Sequence, residues 1–126
     1  MIRILIVSSE NVFADALTSI FKKKKEVTLT RAESGNQGLS MVKDQNYHLV
    51  ITDEILSDMT GLEFAGKMLS VNPMINCAAA SSLSHDEFHE ASEGLGILMA
   101  LPLKPGENHV NRLMEHLQKI LQYTIS

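Results

Sequence analysis

The sequence contains one cysteine, Cys77, so no internal disulfide can form and the expected compartment is a reducing one, the cytoplasm. No apolar run is long enough to cross a bilayer, and the opening stretch MIRILIVSSE turns polar too soon for a signal-peptide core. Basic charge is not in excess: 11 Lys+Arg against 15 Asp+Glu leave a formal net charge of −4, which argues against nucleic acid as a partner. The one basic cluster, residues 22–25, reads as a solvated helix end, where cations complement the helix dipole. Internal repeats, low-complexity tracts and linkers are also missing. What is present, 126 residues with 44% hydrophobic and 21% charged, suits one soluble domain with a core that needs no staples.

Strand-like and helix-like segments alternate from end to end. Ile2 to Val7 is apolar and β-branched, as expected of a strand covered on both faces. A helix is predicted over 11–21, with Asn11 as its N-cap and Phe13, Ala16, Leu17 and Ile20 at helical spacing. An edge strand (27–32) follows, then a helix opened by Ser34-Gly35-Asn36 with Leu39 and Val42 inward. Next come a buried strand (48–53) and a helix (61–71) with Leu62, Ala65, Met68 and Leu69 on one face, stopped by Asn72-Pro73. A short strand (75–80), a helix capped by Ser84 (84–93), a strand (97–101) and a last helix (107–122) complete the chain. Val110, Leu113, Met114, Leu117, Ile120 and Leu121 form the apolar stripe of that helix, and the seven methionines read as core filler. Five strands and five helices in strict alternation predict a doubly wound parallel sheet, an α/β domain spanning 1–126 with no room for an output domain.

In such a sheet the functional crevice lies beyond the carboxyl ends of the strands. Ser8, Ser9 and Glu10 follow the first strand, Asp53 and Glu54 the third, Ser81 and Ser82 the fourth, and Lys104-Pro105 the fifth. A carboxylate facing an ammonium and a hydroxyl suits an aspartyl-phosphate site, with the carboxylate as nucleophile. Catalytic serines are not expected at 8 and 9, because no histidine is placed as a base. His85 and His89, four apart in HDEFH, have zinc-compatible spacing. They lack the Glu of the metalloprotease motif and a third ligand, and read as an exposed helix face, while His48, His109 and His116 belong to no constellation.

On these residues the chain resembles the receiver domains of bacterial response regulators, the CheY-like family with a flavodoxin-like sheet order. LVITDEILSDMTGLE (49–63), with Asp53 and Gly61 eight apart, is similar to the family's segment around its phosphoacceptor. Ser81, in SSLS, is similar to its Ser/Thr switch, and LPLKP, with Lys104 and Pro105, to its lysine–proline pair, which commonly carries a cis peptide. The resemblance implies Asp53 as phosphoacceptor, Ser81 and Lys104 as phosphate contacts, Gly61 and Pro105 as structural residues, and Mg²⁺ as cofactor. It also implies a histidine kinase or another signalling protein as partner, with no nucleic acid or membrane and with a homodimer open. The docking surface would be formed by the fourth helix, fifth strand and fifth helix.

The departures concern the metal. The family's first strand usually ends in two acids that bind Mg²⁺ with the phosphoacceptor, and here Ser8 and Ser9 stand there as a degenerate pocket. Asp53 remains as the main anionic ligand, so Mg²⁺ binding is expected to be weakened and phosphorylation impaired. Glu10 is expected to point into the first helix, and Ser82 to be a packing substitute. Ser57 replaces a usual proline, an aliphatic residue (Leu101) stands near the position of a switching aromatic, and the stretch between Gly96 and Lys104 is one residue longer than usual. Two signalling readings follow: a receiver switched by phosphate, or a phosphorylation-independent pseudo-receiver for protein binding or dimerisation. An enzymatic reading fails, since phosphohydrolases of related fold need a second aspartate where Ile55 stands. A small-ligand binder lacks its glycine-rich loop, Ser8-Ser9-Glu10-Asn11 not being one.

Overall fold

The structure, a computed structural model, describes residues 1–125. Along the chain lie β1 (Ile2–Val7), α1 (Asn11–Phe21), β2 (Val27–Ala32), α2 (Gly35–Asp44), β3 (Leu49–Thr52), α3 (Gly61–Val71), β4 (Asn76–Ala80), α4 (His85–Ala91), β5 (Ile97–Leu101) and α5 (Glu107–Ile125). The strands form one parallel sheet in the order β2-β1-β3-β4-β5. This is the doubly wound α/β domain that the alternation predicts.

The period of two along each strand divides the core into two layers. Ile4, Ile6, Leu49, Ile51, Ala78 and Ala80 pack against Phe13, Leu17 and Phe21 of α1 and Val110, Leu113 and Leu117 of α5. Leu5, Val7, Val50 and Cys77 face the other way, onto Val42 of α2 and Phe64, Ala65 and Met68 of α3. Burial there pushes the Cys77 thiol up to about 12, which leaves it unreactive near neutral pH. Gly38 lets α2 approach closely, because a Cβ there would sit 2.9 Å from the Phe64 ring and 3.1 Å from Val7.

Several local expectations change. Phe64, rather than Leu62 or Leu69, anchors α3; the two leucines lie half-buried at the margin of its buried face. Asn11 is the first residue of α1 and not its cap: Glu10 precedes the helix, and the Asn11 amide oxygen is taken by the Arg31 guanidinium at 3.0 Å. The lysine cluster is partly tied down, Lys23 pairing with Glu107 at 3.0 Å and Lys24 bonding Asn111 at 3.1 Å. The pairing of β4 with β5 shifts register within the stretch before Lys104. Cys77 pairs with Ile97 and Ala79 with Ala100, so two steps on β4 oppose three on β5, a bulge. No peptide bond among the described residues is cis, that before Pro105 included.

Helix α2 is anchored at its start by two side chains. Ser34 accepts from the Gln37 amide, and Asp58, in the β3–α3 loop, accepts from the amides of Gly35 (2.8 Å) and Asn36 (2.9 Å). The Asn36 and Gly35 amides hold the Asp58 carboxyl below its ordinary range.

Two predictions follow from this packing. Leu117→Ala, which empties part of the α1–α5 layer, should lower stability by about 2–5 kcal/mol in a denaturant titration. The Asp58 contribution is present above the unfolded-state carboxylate value and is lost as pH falls through the depressed folded value. Stability measured from neutrality to below about pH 4 should therefore fall less steeply for Asp58→Asn than for wild type.

Candidate functional site

Parallel pairing places the site. β1 lies between β2 and β3, so the direction of winding reverses at its carboxyl end and a crevice opens there. Register carries β1 and β3 together to Val7 opposite Thr52, and the Asp53 amide donates to the Val7 carbonyl at 2.9 Å. Ser8 and Asp53 consequently leave the sheet side by side. A crevice of about 560 Å³ forms above them, lined by Ser9, Glu10, Asp53, Glu54, Leu56, Ser57 and Leu103 among others.

Asp53 is half-buried and both its oxygens are engaged. Oδ1 accepts from the Glu54 amide at 2.8 Å, and Oδ2 lies 2.9 Å from the Ser8 hydroxyl. The loop above closes tightly: the Gly61 amide donates to the Glu54 carbonyl at 2.9 Å, and Ile55 bridges Thr60. A Cβ at Gly61 would run into the Asp53 carbonyl oxygen, which is why glycine stands eight residues after the aspartate.

The paired serines have different surroundings. Ser8 is fully buried, its hydroxyl 2.7 Å from the Glu10 carbonyl as well as near Asp53. Ser9 donates to the Glu33 carbonyl at 2.7 Å and accepts from the Ser57 amide at 2.8 Å, tying three loops together. A proline at 57 has no N–H and could not make that bond. Arg31, at the end of β2, reaches over the β1–α1 turn and donates to the carbonyls of Ser8 (3.1 Å) and Glu10 (3.2 Å).

The remaining rim residues are distributed unevenly. Ser81 follows β4 on the same edge of the sheet, but its hydroxyl accepts from the Leu83 amide at 3.1 Å. Ser82 is exposed and held by Glu54, whose carboxylate accepts from its amide at 2.6 Å and its hydroxyl at 2.9 Å; it is a polar tie between loops rather than packing. Glu10 is exposed and lines the crevice, because the turn ends before the first helical residue. Lys104 is exposed, and no ion pair joins it to Asp53 among the described residues; Leu103 lines the crevice on that side. Pro105 is buried under the start of α5. Leu101, near the expected aromatic position, is buried in the α1–α5 layer.

A hard divalent cation requires several oxygen ligands with carboxylate charge. The residues here do not fit one well. Ser8 is committed to its neighbours, Ser9 has both a donor and an acceptor partner, and no group of three His, Cys, Asp or Glu among the described residues is placed to hold a metal ion. Arg31, the Ser9–Ser57 bond and the Glu54–Ser82 tie were not identified from sequence, although Ser57, Glu54 and Ser82 were each noted there. Nothing in their spacing marks them, since each acts on a loop distant in the chain.

Comparison with known proteins agrees with this geometry. Residues 4–118 match the family described as response regulator receiver domain. The curated "Uncharacterized transcriptional regulatory protein YesN" of Bacillus subtilis is 25% identical over 107 residues, which is 83% of this chain and 29% of that protein. The chain thus spans less than a third of the length of that relative. A CheY-like receiver domain protein from Methanospirillum hungatei superposes with a TM-score of 0.85 at 19% identity, covering 98% of each chain. The response regulator TrrA of Thermotoga maritima, solved in complex with Mg(2+)-BeF, gives 0.79 at 22% identity, covering 93% of this chain and 99% of that one. Match, sheet order and crevice agree, and the chain belongs to the response regulator receiver domain family of two-component signalling.

Proposed function

We propose that this receiver domain accepts a phosphoryl group on Asp53 from a phosphohistidine of a histidine kinase, slowly and without dependence on a divalent cation. The observation that supports it most is the seat of Asp53, a half-buried carboxylate beside the crevice whose two oxygens are oriented by the Glu54 amide and the Ser8 hydroxyl. A carboxylate has about four lone-pair sites, so these two bonds leave it able to attack. A free lone pair attacks phosphorus in line, and the bond from phosphorus to the donor imidazole breaks. The leaving nitrogen keeps the electron pair and takes a proton from solvent. Charge on the transferred group would be met by the Ser81 hydroxyl and the Lys104 ammonium, which both stand on loops at this edge of the sheet. The domain then acts as a signalling module and not as an enzyme in its own right. Its partner is a kinase or another signalling protein, engaged at α4, β5 and α5, with no nucleic acid or membrane involved.

A second reading is favoured by the saturation of Ser8 and Ser9 within the protein. In it the domain is a pseudo-receiver that binds or dimerises without phosphate.

Intact mass after incubation with acetyl phosphate separates the two. Under the first reading wild type gains a single phosphoryl group that Asp53→Asn does not, at a rate unchanged between Mg²⁺ and EDTA. Absence of any adduct would leave the pseudo-receiver, whose partner binding Asp53→Asn should not alter. Ser9→Asp, which adds a carboxylate where the turn after β1 meets the β3–α3 loop, should confer on adduct formation a Mg²⁺ dependence that wild type lacks.

A further inference from the structure

Arg31 stands opposite Ile6 on β2, yet its guanidinium spans the turn after β1. Nε and Nη2 donate to the Ser8 carbonyl at 3.3 and 3.1 Å, Nη2 also to the Glu10 carbonyl at 3.2 Å, and Nη1 to the Asn11 side chain at 3.0 Å. One cation therefore holds three of the four residues 8–11. The planar fork of a guanidinium suits this, where an ammonium would act as a point charge.

The turn so held carries Ser8, whose single hydroxyl proton has two acceptors in reach, the Glu10 carbonyl at 2.7 Å and Asp53 Oδ2 at 2.9 Å. A carbonyl already accepting from a guanidinium is the poorer acceptor for a second donor. Arg31 thus directs the Ser8 proton toward Asp53 as well as fixing the turn. A separate contact acts in the same sense. Ser9 links the Ser57 amide to the Glu33 carbonyl, drawing the β3–α3 loop onto the turn. The turn so held carries Ser9 and Glu10, which line the crevice beside Asp53, and no group of three His, Cys, Asp or Glu among the described residues is placed to hold a metal ion.

We infer that Arg31 is a positioning residue for Asp53, a tethered cation that orders the β1–α1 turn and the Ser8 hydroxyl in place of a bound divalent ion. Its kinetic consequence rests on the reading of Asp53 as phosphoacceptor; the ordering itself does not.

The test uses the full chain as wild type, Arg31→Lys and Arg31→Gln, each in Mg²⁺ and in EDTA. Residue-resolved hydrogen exchange reads the Glu54 amide, bonded to Asp53, and the Ser57 amide, bonded to Ser9, with Leu5 and Ile51 as core references. Wild type should exchange identically in Mg²⁺ and EDTA. Arg31→Gln should speed both loop amides about tenfold, the scale of one lost charge-assisted bond, while the references stay unchanged. Arg31→Lys should recover part of the protection. Unchanged loop amides in Arg31→Gln, or core references accelerated equally, would overturn the inference, as would loop amides of wild type that slow on adding Mg²⁺. Acetyl phosphate labelling in EDTA adds the kinetic arm, with Arg31→Gln expected about tenfold slower than wild type. Equal labelling rates would overturn the positioning role. A wild type that gains no phosphoryl group would overturn the phosphoacceptor reading instead, and the exchange data would still decide the role of Arg31.

Discussion

The register of β1 against β3 is the constraint on which the rest of the site depends. Val7 lies opposite Thr52, and the Asp53 amide closes the last bond of the ladder on the Val7 carbonyl. Sliding either strand by one residue would exchange side chains between the two apolar layers, whose packing against α1 and α5 on one side and α2 and α3 on the other is specific to each, and would part Ser8 from Asp53. With that register in place, Ser8 and Asp53 emerge as neighbours at the point where the winding reverses. The helices then close over them from both sides. Core and crevice are therefore consequences of the same alternation, and the site does not depend on any single loop for its position.

Above the sheet the crevice is organised by hydrogen bonds among hydroxyls, backbone groups, carboxylates and one guanidinium. Among the described residues no buried side-chain nitrogen or oxygen lacks a partner. Ser8, though fully buried, meets both a carbonyl and a carboxylate, and Ser9 has a donor and an acceptor in adjacent loops. Two acids at these positions would place negative charge beside Asp53, a cost that only a bound cation offsets. Serines at both positions carry no such charge. Ser57 belongs to the same arrangement, because its N–H supplies the bond that a proline could not. Asp58 fastens the β3–α3 loop to the start of α2 and Glu54 fastens it to the loop after β4, while Thr60 caps α3. Such cross-links between loops restrain the rim without adding to the core.

Composition and periodicity made most of the fold legible. Strict alternation of short apolar runs with segments of period 3.6 leaves few arrangements other than a parallel sheet covered on both sides. Ser84 with Glu87 forms the capping box that its spacing announces. Asp53, Ser81 and Lys104 were identifiable as residues following strands because a parallel sheet sends all its carboxyl ends to one edge, and Gly61 through its spacing from Asp53 in the family resemblance. The clash of a Cβ at Gly61 with the Asp53 carbonyl gives that spacing a steric reason. Less legible were features in which a side chain overrides a local preference. Asn11 reads as a cap, but a long-range bond to Arg31 takes its oxygen instead. Phe64 outweighs the leucines of its helix because Gly38 opens a space for its ring.

What the sequence by itself determined is the sheet, its two apolar layers and the edge at which chemistry is possible, because these follow from patterns repeated along the chain. Only the tertiary structure decided how that edge is wired. Arg31 lies 23 residues from Ser8, Ser57 lies 48 from Ser9, and Ser82 lies 28 from Glu54. No local rule relates such residues, since hydrogen bonds across loops depend on where three separate crossovers end in space. The tertiary structure also decided that Leu103, and not Lys104, lines the crevice on that side.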